Sequence, residues 1–375
     1  MQSSERFGKE ENELSLFQID AAYEWKGEQS RSFFLAKELK RRGYSFQFVV
    51  QPGSPLHQKA NETGLPVLPV RISDKGGVLS VIRLYRAMKR KKCRLVHFHN
   101  IPSVAVGLKA ASLAKVPLRM VSEQGDFKYT RDVDAFITST EDMKKDLTER
   151  RIDSLLIKVI PLGRDFSPYQ ENTSKDYIRQ KLSFAADDFL VGVMARLADQ
   201  NVVKYLIRAK KYLEEHSPSI KVIILGQGPL SMELESQSSE MEGDNMFFCM
   251  GFGEDTPRIL NSLDVFVFSP DLEGLDGHLI EAMACRLPVV AIRAAEIPET
   301  IIHRKTGLLV SPRSPKALAK AVINLYENDE LGSQLSQKAF EVVHERFSAE
   351  SMASKVIDVY EDLARKKGVR LERKG

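Results

Sequence analysis

Two glutamates, Glu273 and Glu281, stand seven residues apart in the segment SPDLEGLDGHLIEAMACR, residues 269–286. An apolar run at 264–268 precedes it and a helical pattern follows. The residues between, Gly274 to Leu279, form a turn whose free amides open that helix. A helix N-terminus binds phosphate through its unpaired N–H groups and its dipole. The segment therefore offers an anion cradle flanked by two carboxylates, and a carboxylate accepts hydrogen bonds from a sugar or ribose diol. The same spacing also fits a capped helix with two solvated acids, so spacing alone leaves both readings open.

Something must hold such a cradle. Short apolar runs at 14–19, 46–50, 66–70, 95–98, 118–121, 135–137 and 156–160 alternate with helical patterns at 28–42, 78–92, 103–115 and 141–151. After a turn-rich stretch at 163–175 the pattern restarts. Its strand runs lie at 189–194, 221–225, 245–250, 264–268, 288–292 and 307–310. Helical stretches at 203–215, 230–239, 278–284 and 314–328 separate most of them. Strands that are apolar throughout are buried on both faces, and alternation with helices makes the sheets parallel. The expected fold class is α/β, with two doubly wound Rossmann-like domains facing a central cleft. Expected boundaries are 1–166 for the first domain and 167–346 for the second. The remaining residues, 347–375, form a C-terminal helix. Ligands of such sheets lie beyond the carboxyl ends of the strands.

Read with its neighbours, the segment 269–286 resembles the E-x7-E region of glycosyltransferase family 4, retaining enzymes of the GT-B fold. Other pieces follow in that family's order. VGVMARLADQNVVKYLIRA (191–209) is similar to its donor-binding arginine and lysine segment. ILGQGPL (224–230), FCMGF (248–252) and AAEIPETIIHRKTGLL (294–309) also match. WKGEQS (25–30), His97-Phe98-His99, residues 134–140 and VIPLGRD (159–165) fit more loosely in the front half.

The resemblance implies roles residue by residue. Glu281 would hold the donor ribose, and Glu273 would contact and position the transferred sugar. Amides at Asp276, Gly277, His278 and Leu279 would bind the diphosphate. Arg196 would neutralise it as the leaving group departs. Gly27 would let the first loop approach the phosphates, and Phe252 lies where the family lodges the nucleobase. His99 and Glu123 are acceptor or cleft candidates. The last helix would return to pack on the first domain.

Three departures stand out. Asn201-Val202 occupies the place of the family's Lys-Gly, so a neutral donor replaces a cation. The first loop has one glycine, Gly27, where relatives commonly have two. Ser122-Glu123-Gln124 stands where the family often carries a histidine. A catalytically impaired member serving as a binding or assembly subunit is therefore one alternative. A nucleotide-sugar epimerase or hydrolase on the same fold is another.

Composition limits the rest. The 375 residues are 43% hydrophobic and 28% charged, as in globular chains. No apolar run approaches a membrane span. The polar first fifteen residues do not read as a secretory signal. Cys93, Cys249 and Cys285 lie too far apart for a zinc pattern or a disulfide framework, so a reducing cytoplasm is the expected compartment. His97 and His99 alternate onto one strand face, but lack partners for a metal. Gly226-Gln227-Gly228-Pro229 lacks the third glycine of a dinucleotide fingerprint. No cofactor and no obligatory metal are expected.

The net charge of +4 conceals a division. Residues 1–165 hold 29 Lys and Arg against 20 Asp and Glu, or +9. Residues 166–345 hold 18 against 26, or −8, and residues 346–375 hold 8 against 5, or +3. The run from Arg83 to Arg94 (RLYRAMKRKKCR), with Lys37, Lys40, Arg41 and Arg42, offers a face for anionic lipid. A solvated helix face is the other reading. No nucleic-acid motif accompanies it. The expected function is retaining transfer of a sugar from a UDP-, ADP- or GDP-linked donor to a glycan or lipid-linked acceptor. Synthesis of cell-envelope polysaccharide or lipopolysaccharide is the setting that the resemblance implies, in the cytoplasm or peripherally on the inner face of the membrane.

Overall fold

The computed structural model describes residues 16–24, 27–72, 77–122, 132–171, 174–196, 200–227, 246–249, 255–269, 276–293 and 300–372. The chain divides into two compact units, one of residues 1–164 with 346–375 and one of residues 165–345.

The first unit is built on a seven-stranded parallel sheet. Its strands are β1 (Leu16–Asp20), β2 (Phe46–Val50), β3 (Val67–Pro69), β4 (Leu95–Phe98), β5 (Leu118–Ser122), β6 (Ala135–Thr138) and β7 (Ile157–Val159), in the order β3-β2-β1-β4-β5-β6-β7. Leu16 stands opposite both Phe46 and Leu95. Alternation divides the side chains into two cores. Leu16, Leu95, Leu118 and Met120 join a cluster with helices Gly27–Arg41 and Ala349–Lys366. Phe17, Ile19, Val96, Phe98 and Val121 join the other with helices Val78–Arg90 and Ile101–Leu113. At the outer position, β3 is only half buried. Its run therefore reads differently from the fully buried strand that its apolar residues suggest, because it has a neighbour on one side only.

Helix Ala349–Lys366 begins at an N-cap, where the Ser348 hydroxyl accepts from the Ser351 amide at 3.1 Å. Its apolar residues recur at helical spacing, and Met352, Ala353, Val356, Ile357, Tyr360 and Ala364 are buried against the first sheet's helix-facing core. The chain reaches that position through a backbone bridge. Arg164 donates to the Phe347 carbonyl, and Ala349 donates to the Arg164 carbonyl, each at 2.8 Å. Gly163 makes the approach possible, since a Cβ there would lie 2.8 Å from the Ala349 Cα.

The second unit carries a six-stranded parallel sheet. Its strands are β8 (Phe189–Arg196), β9 (Ile220–Gln227), β10 (Met246–Cys249), β11 (Val265–Phe268), β12 (Val289–Ile292) and β13 (Leu308–Val310), in the order β10-β9-β8-β11-β12-β13. Helices Gln200–His216 and Pro315–Tyr326 pack together beside it. Gly192 admits Leu263 to the face of β8, where a Cβ would meet that side chain at 2.1 Å. Beneath the sheet, the buried Arg179 guanidinium donates to Asp264 at 2.7 Å and to the Ser262 and Asp188 carbonyls. The helix expected at 230–239 lies outside the described residues.

Candidate active site

Each sheet has one place where its winding reverses. In the second unit the chain steps outward from β8 to β9 and β10, then crosses to β11, β12 and β13 on the other side. The crevice between the carboxyl ends of β8 and β11 is where such a sheet takes its ligand. Arg196 is the last residue of β8, in register with Gln227 of β9. Asn201 is the second residue of helix Gln200–His216, which follows β8. Beyond β11, Asp276, Gly277, His278 and Leu279 are the first four residues of helix Asp276–Ala284. Those four positions carry the N–H groups that have no acceptor within a helix.

Glu281 lies one turn further along. Leu279, Ala282 and Met283 are buried around it, and Glu281 itself is only 9% exposed. Its Oε2 lies 2.9 Å from His278 Nδ1. A carboxylate only accepts, so this contact places a proton on Nδ1. The pair thus presents an oriented carboxylate near a helix opening, a suitable arrangement for a vicinal diol attached to a phosphate. Cys285 sits beside it. Burial, with the Glu281 carboxylate adding to it, pushes that thiol well above its usual range, so it is no thiolate nucleophile.

The first unit reverses between β1 and β4. Asp20 closes β1 and accepts from Ser32 Oγ at 2.6 Å, Asn100 Nδ2 at 2.5 Å and the Ala22 amide at 3.1 Å. Burial raises its pKa, and those hydrogen bonds oppose the rise. His97 lies on β4 between two hydroxyls. Its Nδ1 is 2.6 Å from Tyr360 Oη, and its Nε2 is 2.9 Å from Ser122 Oγ. Burial, then the charge of Arg31, pushes the ring down to about 3, so it is neutral at physiological pH. His99 stacks on it with ring centroids 4.1 Å apart. Arg31 is itself buried and donates to Ser139 Oγ at 2.6 Å. It projects from the helix that Gly27 opens.

These placements sort the sequence candidates. Arg196, Asn201, Asp276, Gly277, His278, Leu279 and Glu281 all belong to elements that border the β8–β11 switch point. Gly27 and His99 border the one between β1 and β4. Glu273, Phe252 and Glu123 lie outside the described residues. Sequence reading passed over Asp20, Arg31 and Tyr360. The signal for Asp20 was in LFQID, where Gln18 and Asp20 alternate with apolar neighbours. Tyr360 gave no such signal, because its partner His97 is 263 residues away. Among the described residues, no group of three or more His, Cys, Asp or Glu could hold a metal ion.

Comparison with known proteins places this geometry in a family. Residues 174–342 match glycosyl transferases group 1, and residues 33–163 match the glycosyl transferase 4-like domain. The chain belongs to this group 1, family 4 class of glycosyltransferases and is a nucleotide-sugar glycosyltransferase. It is 24% identical to the Escherichia coli UDP-Gal:alpha-D-GlcNAc-diphosphoundecaprenol alpha-1,3-galactosyltransferase, over 80% of this chain and 83% of that one. With the Staphylococcus aureus capsular polysaccharide biosynthesis glycosyltransferase CapM it shares 22% identity, over 86% and 91%. Among solved structures, Anabaena Alr3699/HepE in complex with UDP gives a TM-score of 0.67 at 17% identity, covering 93% of this chain and 100% of that one. A Rickettsia africae glycosyltransferase gives 0.68 at 16%, covering 94% and 99%. These likenesses establish the GT-B fold.

Proposed function

We propose that this chain transfers a hexosyl group, with retention of anomeric configuration, from a nucleotide diphosphate sugar to a glycan or lipid-linked acceptor of the cell envelope. UDP is the favoured nucleotide, since relatives and structural neighbours carry it in their names. The observation that carries the reading is Glu281, a carboxylate pinned by His278 in a helix that opens at the β8–β11 switch point. Glu281 holds the ribose diol, and the amides of Asp276 to Leu279 cradle the diphosphate. Arg196 meets the charge that grows as the anomeric C–O bond to phosphate breaks. Glu273 positions the sugar. The acceptor oxygen bonds the anomeric carbon, and its proton leaves with the diphosphate. Asn201 supplies a neutral contact where a cation would stabilise more.

Product analysis tests this reading. Incubated with a UDP-hexose and a panel of glycan and polyprenyl-diphosphate-sugar acceptors, the protein should release UDP only when an acceptor is present. The product should show the donor's anomeric configuration by NMR, and EDTA should not change the rate. Free hexose or an epimerised donor formed without acceptor would favour the hydrolase or epimerase alternative instead.

A membrane surface completes the proposal. Helix Val78–Arg90 exposes Val78, Leu79 and Ile82, with Leu79 83% exposed, and Leu113 is exposed on the neighbouring helix. Arg83, Arg86, Lys89 and Arg90 line a groove of about 830 Å³ with Leu79, Ile82 and Tyr85. Residues 77–122 contain ten Lys and Arg and no Asp or Glu. Apolar wedge and cationic surround suit an anionic bilayer that presents a lipid-linked acceptor. The helix Gly27–Arg41, with Lys37 and Lys40, packs on the opposite side of the sheet from helix Val78–Arg90 and so does not extend this face as expected. Arg41 and Arg42 pair with Glu38, and Lys40 donates to the Thr63 and Gly64 carbonyls. No helix among the described residues is long and apolar enough to cross a membrane.

A further inference from the structure

The donor site on the second unit is short of positive charge. Residues 166–345, which contain it, sum to −8, and Asn201 stands where the family resemblance places a lysine. Of the side chains assigned to the site, Arg196 is the permanent cation. Against it stand the Glu281 carboxylate and the diphosphate of a nucleotide sugar, itself a dianion. Like charges repel, and more strongly where water is excluded.

His278 is placed to change that balance. It is the third residue of helix Asp276–Ala284, in the turn whose amides have no acceptor within the helix. Its Nδ1 lies 2.9 Å from Glu281 Oε2 and carries the proton of that bond. Nε2 is therefore the atom that takes or gives up a second proton, and the side chain, 21% exposed, exchanges with solvent. Protonation leaves the bond to Glu281 in place, so the carboxylate keeps its orientation while the pair loses its net negative charge. Histidine suits such a role because its ordinary titration lies near neutral pH, whereas arginine is always charged and glutamine never.

Few neighbours compete for the role among the described residues. The segment itself carries Asp276 at the start of the helix, Glu281, and Cys285, whose thiol stays protonated. Helix Thr256–Ser262, packed on it, carries Arg258, which pairs with Asp255 at 3.7 Å and stacks on the Tyr177 ring. The turn of helix Ser167–Gln170, also packed on it, offers Tyr169, and β11 and β12 are apolar throughout.

We propose that binding of a nucleotide diphosphate sugar is coupled to uptake of a solvent proton at His278 Nε2, which supplies the positive charge that Asn201 does not. This rests on the transferase reading and adds proton control to its donor site. The bound state holds more protons than the free one, so affinity rises as pH falls.

The test is calorimetry on the full chain with a panel of UDP-, ADP- and GDP-hexoses, in phosphate and Tris buffers at pH 6, 7 and 8. Nucleotide sugars suit it because their diphosphate is esterified at both ends and takes up no proton in this range. The two buffers differ in heat of ionisation, so proton uptake appears as a buffer-dependent enthalpy. For the nucleotide sugar that binds most tightly, the wild-type protein should show that dependence, and affinity should rise several-fold from pH 8 to pH 6. His278→Asn places an amide donor where Nδ1 lies and removes the titrating atom. It should still bind, with neither buffer dependence nor pH dependence; His278→Gln serves in its place if the Asn variant melts far below the wild type. Wild-type binding with equal enthalpies in both buffers would overturn the coupling without any variant. Undiminished uptake in the variant would put the proton elsewhere and overturn the assignment to His278. Failure of the wild-type protein to bind any nucleotide sugar would overturn the transferase reading, and this proposal with it.

Discussion

Glu281 shows how a residue's neighbours decide its chemistry. A glutamate at that depth is costly unless its carboxylate is hydrogen-bonded, and His278 one turn earlier supplies a bond at 2.9 Å. The same logic governs His97, with a consequence for pH. Its folded pKa is pushed down to about 3, against 6.5 when unfolded. Between those values the unfolded chain binds a proton that the folded chain refuses, so stability is present above pH 6.5 and declines as pH falls towards 3. His99 acts in the same direction, and Asp20, whose pKa is raised, opposes them near the acid end. Replacing His97 with Gln should flatten the decline by up to ~1.4 kcal/mol per pH unit, read from denaturant melts at pH 7, 6 and 5. Parallel wild-type and variant curves would contradict a neutral buried His97. Glu281 stood out in the sequence through the resemblance of its segment to the E-x7-E region, since its spacing from Glu273 alone leaves two readings open. The polar chain did not, because Tyr360 and His97 meet only after the chain has closed on itself.

Elements carry the argument further than single residues. Seven apolar runs in the first half and six in the second predicted the strands, because buried parallel strands leave an uninterrupted apolar record. Strand order was not legible in that record. It emerges from which neighbours the helices allow, and it determines where each sheet reverses. That reversal explains why Arg196 and Glu281, 85 positions apart in sequence, belong to elements bordering one crevice. The last helix is also an element-scale device, since it brings Tyr360 to His97 and depends on close approach at Gly163. Gly163→Ala should lower stability by ~1–3 kcal/mol, because the clash is with backbone and cannot be relieved by a rotamer change. It should cost transfer activity in proportion. Unchanged melting would show that the bridge between Arg164 and Ser348 tolerates more space than the geometry implies.

At the scale of the molecule, charge and fold divide the labour. The second unit holds the proposed donor site yet lies in the −8 segment, so its attraction for diphosphate must come from Arg196 and helix amides. The first unit carries the excess of cations and the exposed apolar wedge. Co-sedimentation should show binding to vesicles containing anionic lipid, weakening with salt, and Leu79→Asp or Arg86→Glu should reduce it several-fold. Equal binding to neutral vesicles would remove the electrostatic account. The broad basic character of the first half was legible in the sequence. Which cations share one face was not, because the first helix packs on one side of the sheet and helix Val78–Arg90 on the other.

The central claim is that a nucleotide diphosphate sugar is held on the second unit through Glu281. Calorimetry with UDP on the wild-type protein and on Glu281→Ala tests it most directly. Saturable binding that weakens tenfold or more in the variant, with the melting temperature of the ligand-free protein little changed, is the predicted result. Equal affinity in both proteins would contradict the site as described.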